Sequence, residues 1–330
     1  MDQINFQNII NGMLGKKILV VGDIMLDEYQ FGDVRRISQE APVPIVEVKR
    51  ETYQLGGAGN VIKNLVSLGA EVSISSVIGN DKAGSKVDET IHDMGVKSDN
   101  CFLYIDETRR TTVKTRLMAH NQHVVRIDRE DLHQISDNTR KALITQILYK
   151  FELPDAIIVS DYGKGLVDKH LIDSLRAFCA ENNIFLYVDP KERNFCHYKK
   201  VDMITPNLKE LSYGSGFSVK TDEEVSRAAS QIFKKLRCKN ILATRGEDGM
   251  TLFCEDGNIF NIPACAHHVY DVTGAGDTVI SVFTLARIAG ATMHEAAIIS
   301  NVAAGIVVGE VGAVSVKKDE LLEKFLNGGE

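Results

Sequence analysis

Lys17-Ile18-Leu19-Val20-Val21-Gly22-Asp23 is apolar at every position between a lysine and a glycine turn that ends in a carboxylate. A strand with one face in water alternates apolar and polar residues. One that is apolar throughout is buried on both faces, as in a parallel sheet covered by helices on each side. The same pattern recurs at 72–79, 156–161, 184–189 and 240–244. Helical spacing fills the intervals at 60–68, 131–150, 166–182, 222–236 and 276–289, and Phe6, Ile9, Ile10, Met13 and Leu14 mark one face of a short first helix. The alternation predicts an α/β fold, a doubly wound and mostly parallel sheet with helices on both faces.

Two regions break this rhythm: 29–49, which holds Pro42 and Pro44, and 102–128, where Thr, Val, Arg and Lys alternate over β-prone runs. They predict a small accessory β-sheet. No Gly/Ser or charge tract separates them from the rest, so residues 1–330 are expected to form one domain with a lid inserted from about 29–49 and 102–128.

Composition narrows the function classes. With 44% hydrophobic and 25% charged residues the chain is that of a folded globular protein. A net charge of −7 argues against nucleic acid as main partner, because that binding is carried by clustered Lys and Arg. The six cysteines, Cys101, Cys179, Cys196, Cys238, Cys254 and Cys265, form no C-x-x-C pair, which suits reduced thiols. The N-terminus lacks a basic and then apolar leader, and the apolar stretch 296–309 is broken by Ser300 and Asn301, short of the roughly 18 residues of a membrane span. A cytoplasmic protein without a membrane partner is expected.

The sharpest chemical signal is Asp271-Val272-Thr273-Gly274-Ala275-Gly276-Asp277-Thr278, a glycine-rich turn running directly into an apolar helical pattern. Glycines let the backbone approach an anion, and first-turn N–H groups have no intrahelical partner, so Gly274, Ala275 and Gly276 can receive a phosphate. Asp277 faces that same hole. A carboxylate repels phosphate unless it accepts a proton from an attacking hydroxyl, which makes Asp277 the candidate base of phosphoryl transfer; helix capping is the plain alternative. Other signatures fail. Residues 79–86 imitate a phosphate loop but end Gly84-Ser85-Lys86, Gly57-Ala58-Gly59 is followed by Ile62 where a dinucleotide fingerprint needs glycine, and His294-Glu295 lacks the second histidine of a zinc protease.

A second polar cluster follows the first strand: Asp23 and Asp27, then Gly56, Gly57 and Asn60 ahead of a helix. Carboxylates and an amide at strand ends suit the hydroxyls of a polyol, and turn formation is the alternative for Asp23. Pro206-Asn207-Leu208-Lys209-Glu210 opens another helix, with Asn207 and Glu210 on one face; the pair could hold the waters of a Mg²⁺ ion or simply cap the helix. Thr244-Arg245-Gly246-Glu247-Asp248-Gly249 closes a strand with the loop glycines expected where a nucleotide crosses backbone.

In this order these elements resemble the ribokinase-like carbohydrate kinase family, also called the phosphofructokinase-B family. Residues 55–61 and 271–277 are similar to its two glycine signatures. Within it, residues 21–27, 36–44, Asn121-Gln122, 126–128, Ser160-Asp161-Tyr162-Gly163-Lys164-Gly165 and 269–273 resemble D-glycero-β-D-manno-heptose 7-phosphate kinases, including the kinase half of the bifunctional heptose kinase/adenylyltransferase. The resemblance implies transfer of the ATP γ-phosphoryl group to the anomeric O1, with Mg²⁺, toward the activated heptose of lipopolysaccharide. It implies acceptor contacts from Asp23, Asp27, Gly56, Gly57, Asn60, Lys114, Gln122, Asp161 and Lys164. The acceptor's phosphate needs fixed positive charge, for which Arg36, Arg110, Lys114, Arg116 and Lys164 are candidates, Lys114 and Lys164 foremost. It implies nucleotide contacts from Asn207, Leu208, Lys209, Glu210, Thr244, Gly246, Gly249, Asn301, Ala304 and Val308, with Gly305 beside them. No H-x-G-H nucleotidyltransferase signature is present, so a stand-alone kinase is expected, dimeric through the lid. A kinase of the same fold acting on another sugar or a nucleoside, and a sugar-phosphate-binding regulator without turnover, are the other readings.

Overall fold

The structure, a computed structural model, describes residues 3–119, 122–265, 269–310, 312 and 314–327. Asn121, part of the heptose-kinase resemblance, lies outside the described residues. The strands are β1 (Lys17–Gly22), β2 (Ile24–Ile37), β3 (Pro44–Gly57), β4 (Glu71–Ile78), β5 (Cys101–Ile105), β6 (Val113–Ala119), β7 (Gln122–Arg129), β8 (Ala156–Ser160), β9 (Phe185–Asp189), β10 (Met203–Ile204), β11 (Asn240–Thr244), β12 (Met250–Cys254) and β13 (Ile259–Ile262). The helices are α1 (Gln3–Gly12), α2 (Ala58–Ser67), α3 (Lys82–Asp93), α4 (Asp137–Tyr149), α5 (Lys169–Asn182), α6 (Leu208–Ser215), α7 (Asp222–Leu236), α8 (Ala275–Ile288), α9 (Met293–Val307) and α10 (Lys318–Asn327).

The large sheet runs β13-β12-β11-β10-β9-β8-β1-β4-β5, parallel from β11 to β5 and antiparallel at β12 and β13. Its central strands are apolar throughout because successive side chains enter different cores. Ile18 and Val20 of β1 belong to the core shared by α1, α2, α8 and α9, while Leu19 and Val21 belong to the one shared by α4, α5 and α7. From β1 the chain moves to β4 and β5 on one side and later to β8–β11 on the other. The crevice outside the carboxyl ends of β1 and β8 is therefore the switch point where ligands of such sheets collect.

The second sheet has the order β3-β2-β6-β7. β2 and β3 form a long antiparallel ladder from Ile24↔Gly57 to Ile37↔Pro44, and β6 lies parallel to β2 from Leu26↔Val113 onward. The lid strands thus start closer to the crevice than the composition break at residue 29 indicated. The second region needs a correction: residues 102–105 lie in β5, hydrogen-bonded to β4 at the edge of the large sheet, and the lid portion begins at Val113. The Asp81–Ser85 turn also has a local explanation. Asp81 caps α3 by accepting from the Gly84 amide at 2.8 Å and from the Thr111 amide at 2.9 Å, so a protein carboxylate occupies the place a phosphate would take in a phosphate loop.

Candidate active site

Helix α8 begins from Gly274, whose φ of 82° lies in the left-handed region that a side chain would strain. Gly274, Ala275 and Gly276 line the crevice, and a Cβ built on Gly276 would meet no atom within 4 Å, so this face of the first turn is open. Asp277, one turn in, is buried at 3% exposure. Asn60 of α2 donates to its Oδ2 at 2.8 Å and the Tyr162 phenol donates to its Oδ1 at 2.9 Å. Burial pushes its carboxyl up to about 6, against the downward pull of those two hydrogen bonds. Of the first-turn amides, that of Ala275 donates to the Val272 carbonyl at 3.3 Å. A carboxylate with that proton affinity, beside a helix N-terminus, can accept a proton near neutrality while an anion sits at the helix end.

A cavity of about 980 Å³ opens from this turn. The segments expected to hold a nucleotide, Asn207 to Glu210, Thr244 to Glu247 with Gly249, and Asn301, Ala304 and Gly305 of α9 with Val308 at its C-cap, line it together with Gly274–Asp277. Each also does local work. Asn207 and Glu210 form a capping box on α6, with Asn207 accepting from the amides of Lys209 (2.9 Å) and Glu210 (3.0 Å) and Glu210 accepting from the Asn207 amide (3.1 Å). The free Glu210 oxygen lies 3.6 Å from Lys191 Nζ. Leu208 sits at the start of the same helix, and the Lys209 side chain is exposed beside Glu192. Gly249 is required by space, since a Cβ there would lie 2.1 Å from the Ile262 carbonyl. Asn301 spends its amide on the Pro263 carbonyl at 2.7 Å and so shapes the wall.

On the other side of Asp277 lies the lid base. Asp27 of β2 is buried and paired with Arg116 of β6, whose guanidinium stacks on Tyr29. Gly56 is the neighbour that permits this, because a Cβ would stand 2.4 Å from Asp27 Oδ2. Lys114 lies over the Tyr162 ring, its Nζ 5.9 Å from the centroid, and burial lowers its proton affinity. Asn60 Oδ1 is buried without a partner and is available to a hydroxyl.

Three expected acceptor contacts are otherwise engaged. Asp23 is buried and accepts from the amides of Tyr162 (2.9 Å), Lys164 (3.0 Å) and Leu166 (3.4 Å), so it anchors the loop after β8. Asp161 accepts from the Gly163 amide, Asn194 and Tyr198, and burial next to Asp23 pushes it up to about 7. Lys164 Nζ is held by Glu130 at 2.5 Å. Gln122 is not brought to this cluster: it is exposed opposite Ala119 at the far end of β6, about 20 Å of strand from the Val113 end. Gly57 follows Gly56 with φ of 59° and turns the chain into α2.

Tyr162, Asp189 and Lys191, which are not among the sequence candidates, also line the cavity. Asp189 lines the cavity at the end of β9, its carboxyl driven well above the usual range by burial and by the neighbouring Asp277 and Glu210. Strand-end position was the available signal for Asp189 and Lys191. Nothing local marks Tyr162, because its partner lies 115 residues away.

Comparison with known proteins places this geometry. The chain is 44% identical to the bifunctional protein HldE of Desulfatibacillum aliphaticivorans over 92% of its length and 62% of that protein. It is 41% identical to the bifunctional protein HldE of Rhodospirillum rubrum over 95% of its length and 63% of that protein. It thus spans somewhat less than two thirds of these relatives. Among solved structures, Escherichia coli phosphofructokinase-2 in complex with substrates and products superposes with a TM-score of 0.78 at 16% identity, over 94% of this chain and 99% of that one. Arabidopsis thaliana ribokinase complexed with ribose and ATP gives 0.72 at 18% identity, also over 94% and 99%. These structures share the ribokinase-like fold. Residues 15–320 match the pfkB family carbohydrate kinase pattern, and the chain belongs to that family of phosphotransferases acting on an alcohol group.

Proposed function

We propose that this sugar kinase transfers the γ-phosphoryl group of ATP to O1 of D-glycero-β-D-manno-heptose 7-phosphate, giving the 1,7-bisphosphate on the way to ADP-heptose and lipopolysaccharide core. The observation that carries the proposal is the position of Asp277, buried between an open helix N-terminus with a nucleotide-sized cavity on one side and a polar, cation-bearing lid base on the other. The heptose reading is supported by the resemblance of residues 36–44 and 160–165 and by the HldE relatives.

In this mechanism the acceptor hydroxyl gives its proton to Asp277 as its oxygen bonds to the γ-phosphorus. The bond from that phosphorus to the β-phosphate oxygen breaks and ADP leaves. The amides of Gly274 and Gly276, joined by that of Ala275 as it turns from the Val272 carbonyl, hold the charge of the transferring group at the helix N-terminus. Asp27 and Asn60 bind sugar hydroxyls, and Lys114 with Arg116 supplies positive charge for the substrate's own phosphate.

A divalent cation belongs to the proposal. The carboxyls of the half-buried Asp189 and the buried Glu210 line the cavity with oxygen donors suited to Mg²⁺, and desolvation first of all holds both above the usual carboxylate range. Asn207 and Glu210 would hold the ion through water, and Mg²⁺ would spread the charge developing between the β- and γ-phosphates. We also propose a cytoplasmic homodimer joined through the lid, whose β7 edge exposes Val124, Val125 and Ile127.

ADP release by purified protein with heptose 7-phosphate, against ribose, fructose and fructose 6-phosphate, tests the substrate. A strong preference for heptose 7-phosphate is expected. Equal turnover of fructose 6-phosphate, or equal turnover of the unphosphorylated heptose, overturns the assignment. Light scattering on a sizing column tests the dimer.

A further inference from the structure

We infer that Tyr162 is a positioning residue for this reaction: its phenol, donating to Asp277, keeps the base ionised and fixed in one orientation. The inference rests on the reading of Asp277 as base. Two donors grip the two carboxylate oxygens from opposite elements, Asn60 from α2 and Tyr162 from the loop after β8. A carboxylate gripped at both oxygens cannot rotate freely, and each oxygen keeps a lone pair for an incoming hydroxyl.

The loop that carries Tyr162 is held far more firmly than a surface turn requires. Asp23 takes the amides of Tyr162 and Lys164, and Arg109 donates to the Lys164 carbonyl at 3.0 Å. Arg193 donates to the Gly163 carbonyl at 2.9 Å, and Gly163 and Gly165 take positive φ of 69° and 98°. Asp23 is thus the anchor that aims Tyr162, two steps removed from the base. The tyrosine ring also underlies Lys114, so one side chain spans the base and the acceptor side.

Asp277 is faced by Asp27 from β2, Asp189 from β9, Lys114 from β6, Asn60 from α2 and Tyr162. Burial and Asp27 raise its proton affinity, while Asn60, Tyr162 and Lys114 lower it. The phenol's own proton is held well above its ordinary range by burial, so it remains a donor wherever the enzyme works. Removing that donor must move the titration of the base upward.

The test is the pH profile of kcat/KM, from pH 5 to 9, for wild type, Tyr162→Phe and Asp277→Asn. Phe keeps the ring under Lys114 and removes only the hydroxyl. The acid limb of Tyr162→Phe is expected to rise by about one pH unit, with about a tenfold loss below the limb and recovery to within about threefold of wild type above pH 8.5. Ionisation of the substrates is common to both proteins and cancels in the comparison. As an isosteric second variant, 3-fluorotyrosine at position 162, a more acidic donor, should move the limb downward and so keeps the test open if Phe disturbs folding. A loss that is the same at every pH, or limbs that coincide in all three tyrosine-site proteins, overturns the inference. If Asp277→Asn is inactive in that case, the base reading survives without it; if Asp277→Asn keeps wild-type turnover, the base reading itself falls.

Discussion

The two halves of the crevice are built differently. The half proposed for the nucleotide is lined by short local segments, within 207–210, 244–249 and 274–276, in which glycines or capping residues set the turns. The half proposed for the acceptor is assembled from Asp27, Asn60, Lys114, Arg116 and Tyr162, side chains delivered by β2, α2, β6 and the loop after β8 and tied to one another or to Asp277. Phosphate is bound by a shape that a few consecutive residues can make, whereas a sugar hydroxyl pattern must be met by side chains converging from several strands. Asp277 sits on the seam and belongs to both.

The largest test of that seam is Asp277→Asn, which keeps the shape and removes the basicity. A fall in kcat of about 10²–10⁴ is expected, with the dissociation constant for ATP nearly unchanged by calorimetry. A near wild-type kcat would assign the proton to another group. On the acceptor half alone, Lys114→Met should raise KM for the phosphorylated sugar more than about tenfold and leave KM for ATP unchanged. Lys164→Met should act less, since its Nζ is already held by Glu130. The reverse order would move the phosphate site across the lid base.

Stability should separate the halves by pH. Burial raises the Asp277 carboxyl from 3.8 to about 6, so folding favours its neutral form. Its contribution is fully present below about pH 4 and is lost as pH rises through 6, with Asp161, pushed up to about 7, acting in the same direction. Asp277→Asn should therefore melt higher than wild type at pH 8, by an amount worth about 3 kcal/mol at most, and the difference should vanish at pH 4. Equal melting temperatures at pH 8 would show that the carboxylate is better solvated than its burial indicates.

The smallest effects belong to the nucleotide half. Glu210→Gln should raise the Mg²⁺ concentration for half-maximal rate several-fold, and unchanged metal dependence would leave Glu210 as a cap alone. Asn207→Ala should cost about 1 kcal/mol in urea unfolding through the lost α6 cap. Activity at saturating Mg²⁺ should change little if backbone rather than side chain holds the nucleotide there.

Much was legible from residues 1–330 read in order. Doubly buried strands declare themselves because each residue must be apolar, and the α8 turn declares itself because its left-handed start favours glycine at Gly274 and a carboxylate, Asp277, follows in the first turn. The long lid ladder was read short because β2 and β3 alternate polarity only weakly near the crevice, where Leu26 and Leu55 are buried against the core. Sequence alone does not separate β5 from the lid, because a short, half-buried edge strand and a lid strand have similar composition.

What the sequence determined by itself was the layered sheet, the glycine-rich turn into α8 and the carboxylate beside it, because each is encoded in a few adjacent residues. Only the tertiary structure decided which polar groups are spent inside the protein and which are left for a ligand. Asp23 and Asp161 look like ligand carboxylates in the chain yet are consumed by the loop after β8, while Tyr162, inconspicuous in the chain, meets Asp277 from 115 residues away. A hydrogen bond depends on distance and direction in space, and those are settled when the sheet brings the ends of β1, β8 and β9 together.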